Sequence, residues 1–363
     1  MPRAQPGRPR ARRATVRVGL SLLGILVVAI TAYDLFESVV LPRPAVGRIR
    51  LSPLLLHRLW LAWRAVGARL QPVRRREAVL GAFGPLAVLV LLLLWTAGLV
   101  LGYGLILFGL QAGGFGAALY VSTSALFTFG LAGPGSGLGR VVVSIEAANG
   151  LGVIALVVSL LFLLFQAFER REVQVITLDA SAGAPPSGVA LLETCADFGL
   201  PEHLGATFAA WRLWAAQVLE SHLAFPVLLY FRSSHDNEAW TNSFGAVMDA
   251  ANLVLTALEG TPHGEAAMFY KVGRHLVDDI GHTFEFPRLR QPGLERWELE
   301  QALARLAAAG YRPRPLEEAW PAFAARRLQY VGLLHHLSLY LLLPPAPWLG
   351  DRSYLPHRDG APP

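Results

Sequence analysis

Residues Tyr120–Arg140 read YVSTSALFTFGLAGPGSGLGR, with no charge until the last residue and with glycine and proline crowded into the second half. Long apolar runs lie on both sides of this stretch. Backbone at bilayer depth that lacks helical hydrogen bonds survives only where it is buried in protein or lines a watery path. The stretch therefore reads as a re-entrant segment between two membrane helices. Its lead-in, Phe115 to Phe127, is apolar and free of proline and suits a half-length helix. Thr128, Phe129, Gly130, Leu131 and Ala132 follow, then Gly133-Pro134-Gly135.

Working outward, the 363-residue chain is 53% hydrophobic and 16% charged, with a mean hydropathy of +0.42. That composition belongs to membrane proteins, with enough length for an additional domain outside the bilayer. The net charge is +6 and Lys271 is the only lysine, so the positive charge is nearly all arginine. The arginines cluster beside apolar runs, which fits the flanks of membrane helices rather than a nucleic-acid surface. The lone Cys195 excludes an internal disulfide and a cysteine metal cluster and reads as a buried, inert thiol.

From Ala78 through Gly139 the chain carries no Asp, Glu, Lys or Arg. Within that gap Pro85–Leu110 is long enough to span a bilayer with some tilt, and Ala147–Phe168 offers a second span. A third run, Val18–Tyr33, reaches Leu41 only by including Asp34 and Glu37. An arginine-rich start before a short apolar run also fits a signal peptide or a helix lying in the interface. An anchor helix is the expectation adopted. Arg74, Arg75 and Arg76 precede the second run, and Arg170 and Arg171 follow the last, which puts both outer ends of that pair in the cytoplasm. One extra span then forces the amino terminus outside, although Arg3, Arg8, Arg10, Arg12, Arg13 and Arg17 make it basic too. The loop from Pro42 to Arg76 carries more arginine and is expected to prevail.

Ion filters use successive backbone carbonyls to replace an ion's hydration shell. Pointing them at one axis requires alternating dihedrals, and glycine permits the positive φ values involved. An outer helix, a pore helix, T-x-G, an arginine after a turn and a glycine-bearing inner helix together resemble a potassium channel pore. Against the usual filter T-V-G-Y-G, Thr128 and Gly130 hold the first and third positions. Leu131 stands at the aromatic position, Ala132 at the final glycine and Gly133 at the following aspartate. Glu146 and Gly150 match an E-x-x-x-G of the inner helix. YDLFESVVLPRP and ESHLAFPVLLYFRSSHDNEAW add a looser likeness to bacterial potassium-channel-family membrane proteins that carry an extra amino-terminal helix and a helical cytoplasmic tail.

The resemblance implies Thr128, Phe129, Gly130, Leu131 and Ala132 as the selectivity filter, with Gly133, Arg140 and Glu146 as pore support or outer mouth. A left-handed alanine costs about 1–2 kcal/mol, so Ala132 disfavours the usual outer filter geometry. Phe129 sets a bulky side chain where a small branched one usually packs. Gly150 and Gly152 are either hinges for gating or close-packing positions. Glu146 either braces the pore helix or gathers cations at the mouth. A single filter segment without internal repeat implies four chains around one axis.

Leu51–Arg76 places Leu56, Leu59, Trp60, Trp63, Val66 and Leu70 on one helical face and Arg58 and Arg69 on the other, as in an interfacial helix with tryptophan anchors. Asp179–Gly188 reads as a linker, and Val189–Trp348 as helices at three- and four-residue apolar spacing. His275, Asp279 and His282 share a helix face as metal ligands can, although a solvated face with an Arg274–Asp278 pair explains them more simply. Ser233-Ser234-His235-Asp236 is too contiguous for a catalytic triad, and Asp236 suits an N-cap.

The expectation is an all-α integral membrane protein with a potassium-channel-like pore of outer helix, pore helix, filter and inner helix. Its segments are 1–50 (tail and anchor helix), 51–83 (basic interfacial helix), 84–172 (pore domain), 173–188 (linker), 189–350 (helical cytoplasmic domain) and 351–363 (tail). The implied function is passive conduction of potassium or another monovalent cation by a homotetramer in the cytoplasmic membrane. No enzyme chemistry, resident cofactor, metal or nucleic acid is implied; the partners are the ion, the lipid bilayer and other copies of the chain. A non-conducting receptor or scaffold with a channel-derived membrane domain is the alternative.

Overall fold

The computed structural model describes residues 8–41, 51–111, 113–199, 203–233, 239–261, 263–284, 286, 293–343, 346 and 348–349. It is almost entirely helical. In chain order the helices are α1 (Arg8–Val39), α2 (Leu51–Gly67), α3 (Val73–Gly81), α4 (Phe83–Leu110), α5 (Phe115–Leu126), α6 (Gly137–Ala182), α7 (Gly188–Asp197), α8 (Leu204–Ala224), α9 (Trp240–Thr256), α10 (Gly264–Thr283), α11 (Arg296–Ala308), α12 (Leu316–Arg327) and α13 (Val331–Leu341). Among the described residues, three stretches are long and apolar enough to cross a membrane: Thr15–Val39, Arg74–Leu110 and Gly137–Ala182. The chain forms two compact units, one of Met1–Leu59 with Pro85–Leu164 and the other of Trp60–Gly84 with Phe165–Pro363.

In the first unit α1 lies against α4 through small residues. A Cβ on Gly98 would stand 2.5 Å from the Thr31 hydroxyl, and one on Gly24 would stand 2.5 Å from the Gly102 carbonyl oxygen. Small residues let helices approach in lipid, where dispersion rather than water drives association. The acids that weakened the first span in the sequence are turned inward. Asp34 and Glu37 are both buried. The Trp95 indole donates to Asp34 Oδ2 at 2.8 Å, and the Ser52 amide donates to Oδ1 at 3.2 Å, with the Ser52 hydroxyl also bonded to Oδ2. Asp34 thus meets α4 and the amino-terminal end of α2, where free amides favour a carboxylate.

In the second unit α9 runs through the middle, and all of its residues except Leu255 are buried. It packs against α7, α10, α12 and α13. Its central Asp249 receives Arg327 Nε at 3.0 Å and Nη2 at 3.0 Å, and the Tyr330 hydroxyl bonds the same carboxylate. A charge this deep is tolerable only when paired and hydrogen-bonded. A two-residue antiparallel ladder, β1 (Leu258–Glu259) with β2 (Arg312–Pro313), closes one edge.

Three features differ from the sequence expectations. Trp60 is no membrane anchor: it is buried, with its ring centroid 5.0 Å from Phe83 and 5.3 Å from Tyr230. Arg171 is no exposed flank charge. Its guanidinium donates to the carbonyls of Phe231 at 2.6 Å and Leu228 at 3.2 Å, and Nε pairs with Glu172 at 2.9 Å. The 3-10 turn Pro226–Tyr230 brings those carbonyls to it. Residues 173–182 continue α6 instead of forming a linker, because Val175, Leu178 and Ala182 bury a continuing apolar face.

Candidate functional site

Helix α5 is twelve residues long, well short of the roughly 20 that a bilayer demands, and buries Ala118, Val121, Ser122, Ser124, Ala125 and Leu126. It ends because the chain turns back on it. The Thr128 amide donates to Ala125 O at 2.9 Å and the Phe129 amide donates to Ser124 O at 2.8 Å. Thr128 has φ +57° and Gly130 has φ +67°, while Phe129, Leu131 and Ala132 stay out of the left-handed region. The strain therefore falls on Thr128, which carries a β-branched side chain, and not on Ala132. Ala132 is half-buried, and its methyl joins the small cluster of Leu107, Ala118, Val121, Phe108, Val142 and Val143.

The loop amides are tied back to the helix. Ser124 Oγ accepts the Leu131 amide at 2.9 Å and the Ala132 amide at 3.3 Å. Among the described residues, the carbonyl oxygens of Thr128 through Ala132 accept no hydrogen bond. Phe127 and Phe129 stack at 5.6 Å between centroids, and Phe129 and Leu131 are 61% and 66% exposed on the single chain. Gly133 and Arg140 are exposed at the far side of the turn, where the Arg140 amide donates to Ser136 O at 3.1 Å.

Behind the loop α6 meets α5 through polar side chains. Glu146 is fully buried and meets the Ser122 hydroxyl, which also lies 3.0 Å from Val100 O. One turn on, Asn149 Nδ2 donates to the Tyr103 hydroxyl at 2.5 Å. Gly150 faces the Leu126 carbonyl so closely that a Cβ would have no room, whereas a Cβ on Gly152 would meet nothing within 4 Å. Gly150 is therefore a close-approach glycine, and Gly152 alone is free of such a constraint.

Elsewhere the chemistry is sparse. His275 Nε2 stands 3.6 Å from Asp279 Oδ2, His282 adds no third ligand, and no group of three His, Cys, Asp or Glu residues among the described residues can hold a metal ion. Arg274 pairs with Asp278 at 3.4 Å. Residues 234–238, with His235 and Asp236, lie outside the described residues. Burial, with the Arg171 charge added, holds the His222 imidazole down to about 3, so it is a neutral core histidine. Burial pushes the Cys195 thiol up, which keeps it unreactive.

Ser124 was not among the residues singled out from the sequence, and Asp34 was read there only as an acid that cuts the first apolar run short. The run Ser122-Thr123-Ser124 inside an apolar half-helix was the signal for the first, and an acid within an apolar span for the second. No family model, curated protein or solved structure matches this chain.

Proposed function

We propose that this chain is the subunit of a passive channel for monovalent cations, potassium first, working as a homotetramer in the cytoplasmic membrane. One observation carries the reading: between two helices able to span a bilayer, the carbonyl oxygens of Thr128 to Ala132 are left without hydrogen bonds among the described residues while the neighbouring amides are tied to Ser124. Unpaired carbonyls at bilayer depth are costly unless water or an ion takes them up. Neutral carbonyls suit a monovalent ion, because divalent sites recruit carboxylates. The carboxylate near this loop, Glu146, is turned to Ser122. One chain supplies one strand of carbonyls, so a closed ring requires four copies. Arg74, Arg75 and Arg170 favour a cytoplasmic second unit and an external amino terminus. Passive flow requires no catalytic group.

Ala132 favours the second reading, a non-conducting receptor or scaffold, because its side chain packs inward and its backbone avoids the left-handed form of a final filter glycine. Flux from liposomes separates the two, with potassium or sodium as the only permeant cation and Ala132→Gly alongside. Potassium flux from the wild type supports the channel. A silent wild type beside a conducting Ala132→Gly means an intact pore with a disabled natural filter. Silence from both, as folded tetramers, sinks the channel reading and leaves the scaffold.

A further inference from the structure

Helix α13 ends at Leu342, which turns left-handed with φ 53° and ψ 44°. A helix carboxyl end leaves carbonyls without partners and carries partial negative charge. Here side chains from two distant stretches take them up. Arg64 Nη2 donates to Leu339 O at 3.0 Å, and the Trp60 indole donates to Tyr340 O at 3.2 Å. Arg232 Nη1 donates to Leu341 O at 2.6 Å and Nη2 to Leu342 O at 3.4 Å. Trp60 and Arg64 are four residues apart on α2 and so reach the same helix end together. Arg232 also pairs with Glu77 of α3, which closes a ring of contacts from α2 through α13 to α3. Beneath it Tyr340 sits 6.1 Å from Trp60 and 6.4 Å from Tyr230, and the two tyrosine hydroxyls meet at 3.0 Å. All of these residues belong to one compact unit.

We infer that the carboxyl end of α13 is a latch: it fixes residues 60–84, the stretch that leads into α4, to the helical domain, so that drawing α13 away frees the lead-in to α4. Side chains, not backbone ladders, make the grip, and it releases without unfolding either helix. The latch leaves Thr128 to Ala132 untouched, so releasing it changes how much current flows and not which ion is chosen. That consequence rests on the channel reading; the mechanical coupling does not.

The test uses the full-length protein in liposomes, with hydrogen exchange read over residues 60–82 and 331–343 and flux read in parallel. The variants are Arg232→Gln, which removes a double donor, and Trp60→Phe, which keeps the ring and removes the indole N–H. Arg274→Gln on α10 is the control. Each latch variant is expected to raise exchange about tenfold in both segments together, with the double variant less than additive. Initial flux is expected to change at an unaltered potassium-to-sodium ratio. Exchange that rises in one segment alone, or in neither, overturns the latch, as does coupled exchange with unchanged flux in a conducting protein. Coupled exchange in a protein that never conducts keeps the latch and sinks the channel. Should Arg232→Gln fail to fold, Arg64→Gln at the half-exposed position makes the same comparison.

Discussion

Replacing Ser124 with alanine removes the hydroxyl oxygen that accepts the Leu131 amide at 2.9 Å and the Ala132 amide at 3.3 Å. A neutral hydrogen bond contributes about 0.5–1.5 kcal/mol net, and the longer of these two sits at the weak end. Leu131 is exposed, so its freed amide regains water and little desolvation penalty is added. The pair therefore contributes about 1–2 kcal/mol to the loop conformation, or about 5–30-fold in its population. Alanine fills nearly the same volume at this buried position, so α5 itself is expected to persist. The assay is amide exchange at Leu131 and Ala132 in protein labelled at leucine and alanine and held in lipid. Both amides are expected to exchange about 5–30-fold faster in Ser124→Ala, with the potassium-to-sodium flux ratio falling in parallel. Unchanged protection at both amides would refute the claim that one serine holds the loop.

Gly150→Ala forces a methyl onto the Leu126 carbonyl and is expected to lower stability by about 1–3 kcal/mol, while Gly152→Ala, with open space, is neutral or stabilising; thermal unfolding in mild detergent ranks the two, and equal midpoints contradict the packing assignment. Asp34→Ala strands the buried Trp95 indole and the Ser52 amide and is expected to cost about 2–3 kcal/mol, seen as a lower unfolding midpoint; a wild-type midpoint would mean the carboxylate holds nothing. The His222 imidazole, held near 3 in the fold against about 6.5 when unfolded, binds its proton only in the unfolded chain across that window. Stability is complete above pH 6.5 and is lost as the pH falls toward 3, by about 1.4 kcal/mol per unit from this group. His222→Gln is expected to flatten the acid limb of a stability-against-pH curve, and an unaltered slope assigns that limb to other groups.

Pro85–Leu110 and Ala147–Phe168 were legible because nothing but a bilayer or a deep core asks for such long uncharged runs, whereas the first run, cut short by Asp34 and Glu37, was the least legible of the three. Side-chain destinations were not legible. Trp60 beside Arg58 and Arg64 reads the same whether the indole meets lipid headgroups or a ring of Phe83, Tyr230 and Tyr340. Arg171 after an apolar run looks like any flanking charge, since the carbonyls that receive it come from residues 228 and 231, far along the chain. Ala132 was expected to disfavour the usual outer filter geometry; in the structure its methyl fills an apolar cluster, and the left-handed strain falls on Thr128, for which no such sign stood in the sequence. Helix α9 was legible as a helix from its three- and four-residue apolar spacing, but its enclosure on every side was not, because Thr241, Asn242, Ser243 and Asp249 read as a solvated face until the partners that bury them are known.

That enclosure bears on how the chain is sorted as it is made. At 17 residues α9 reaches the short end of what a bilayer demands in length, although Thr241, Asn242, Ser243, Asn252 and Thr256 make it more polar than a spanning segment. Asp249 lies near its midpoint, where an aspartate adds about 2.5–3.5 kcal/mol to the cost of entering the bilayer. Before Arg327 has been synthesised that charge stands unpaired, and the penalty applies in full. The carboxylate that later seats Arg327 and Tyr330 thus first weighs against entry of a core helix into a bilayer.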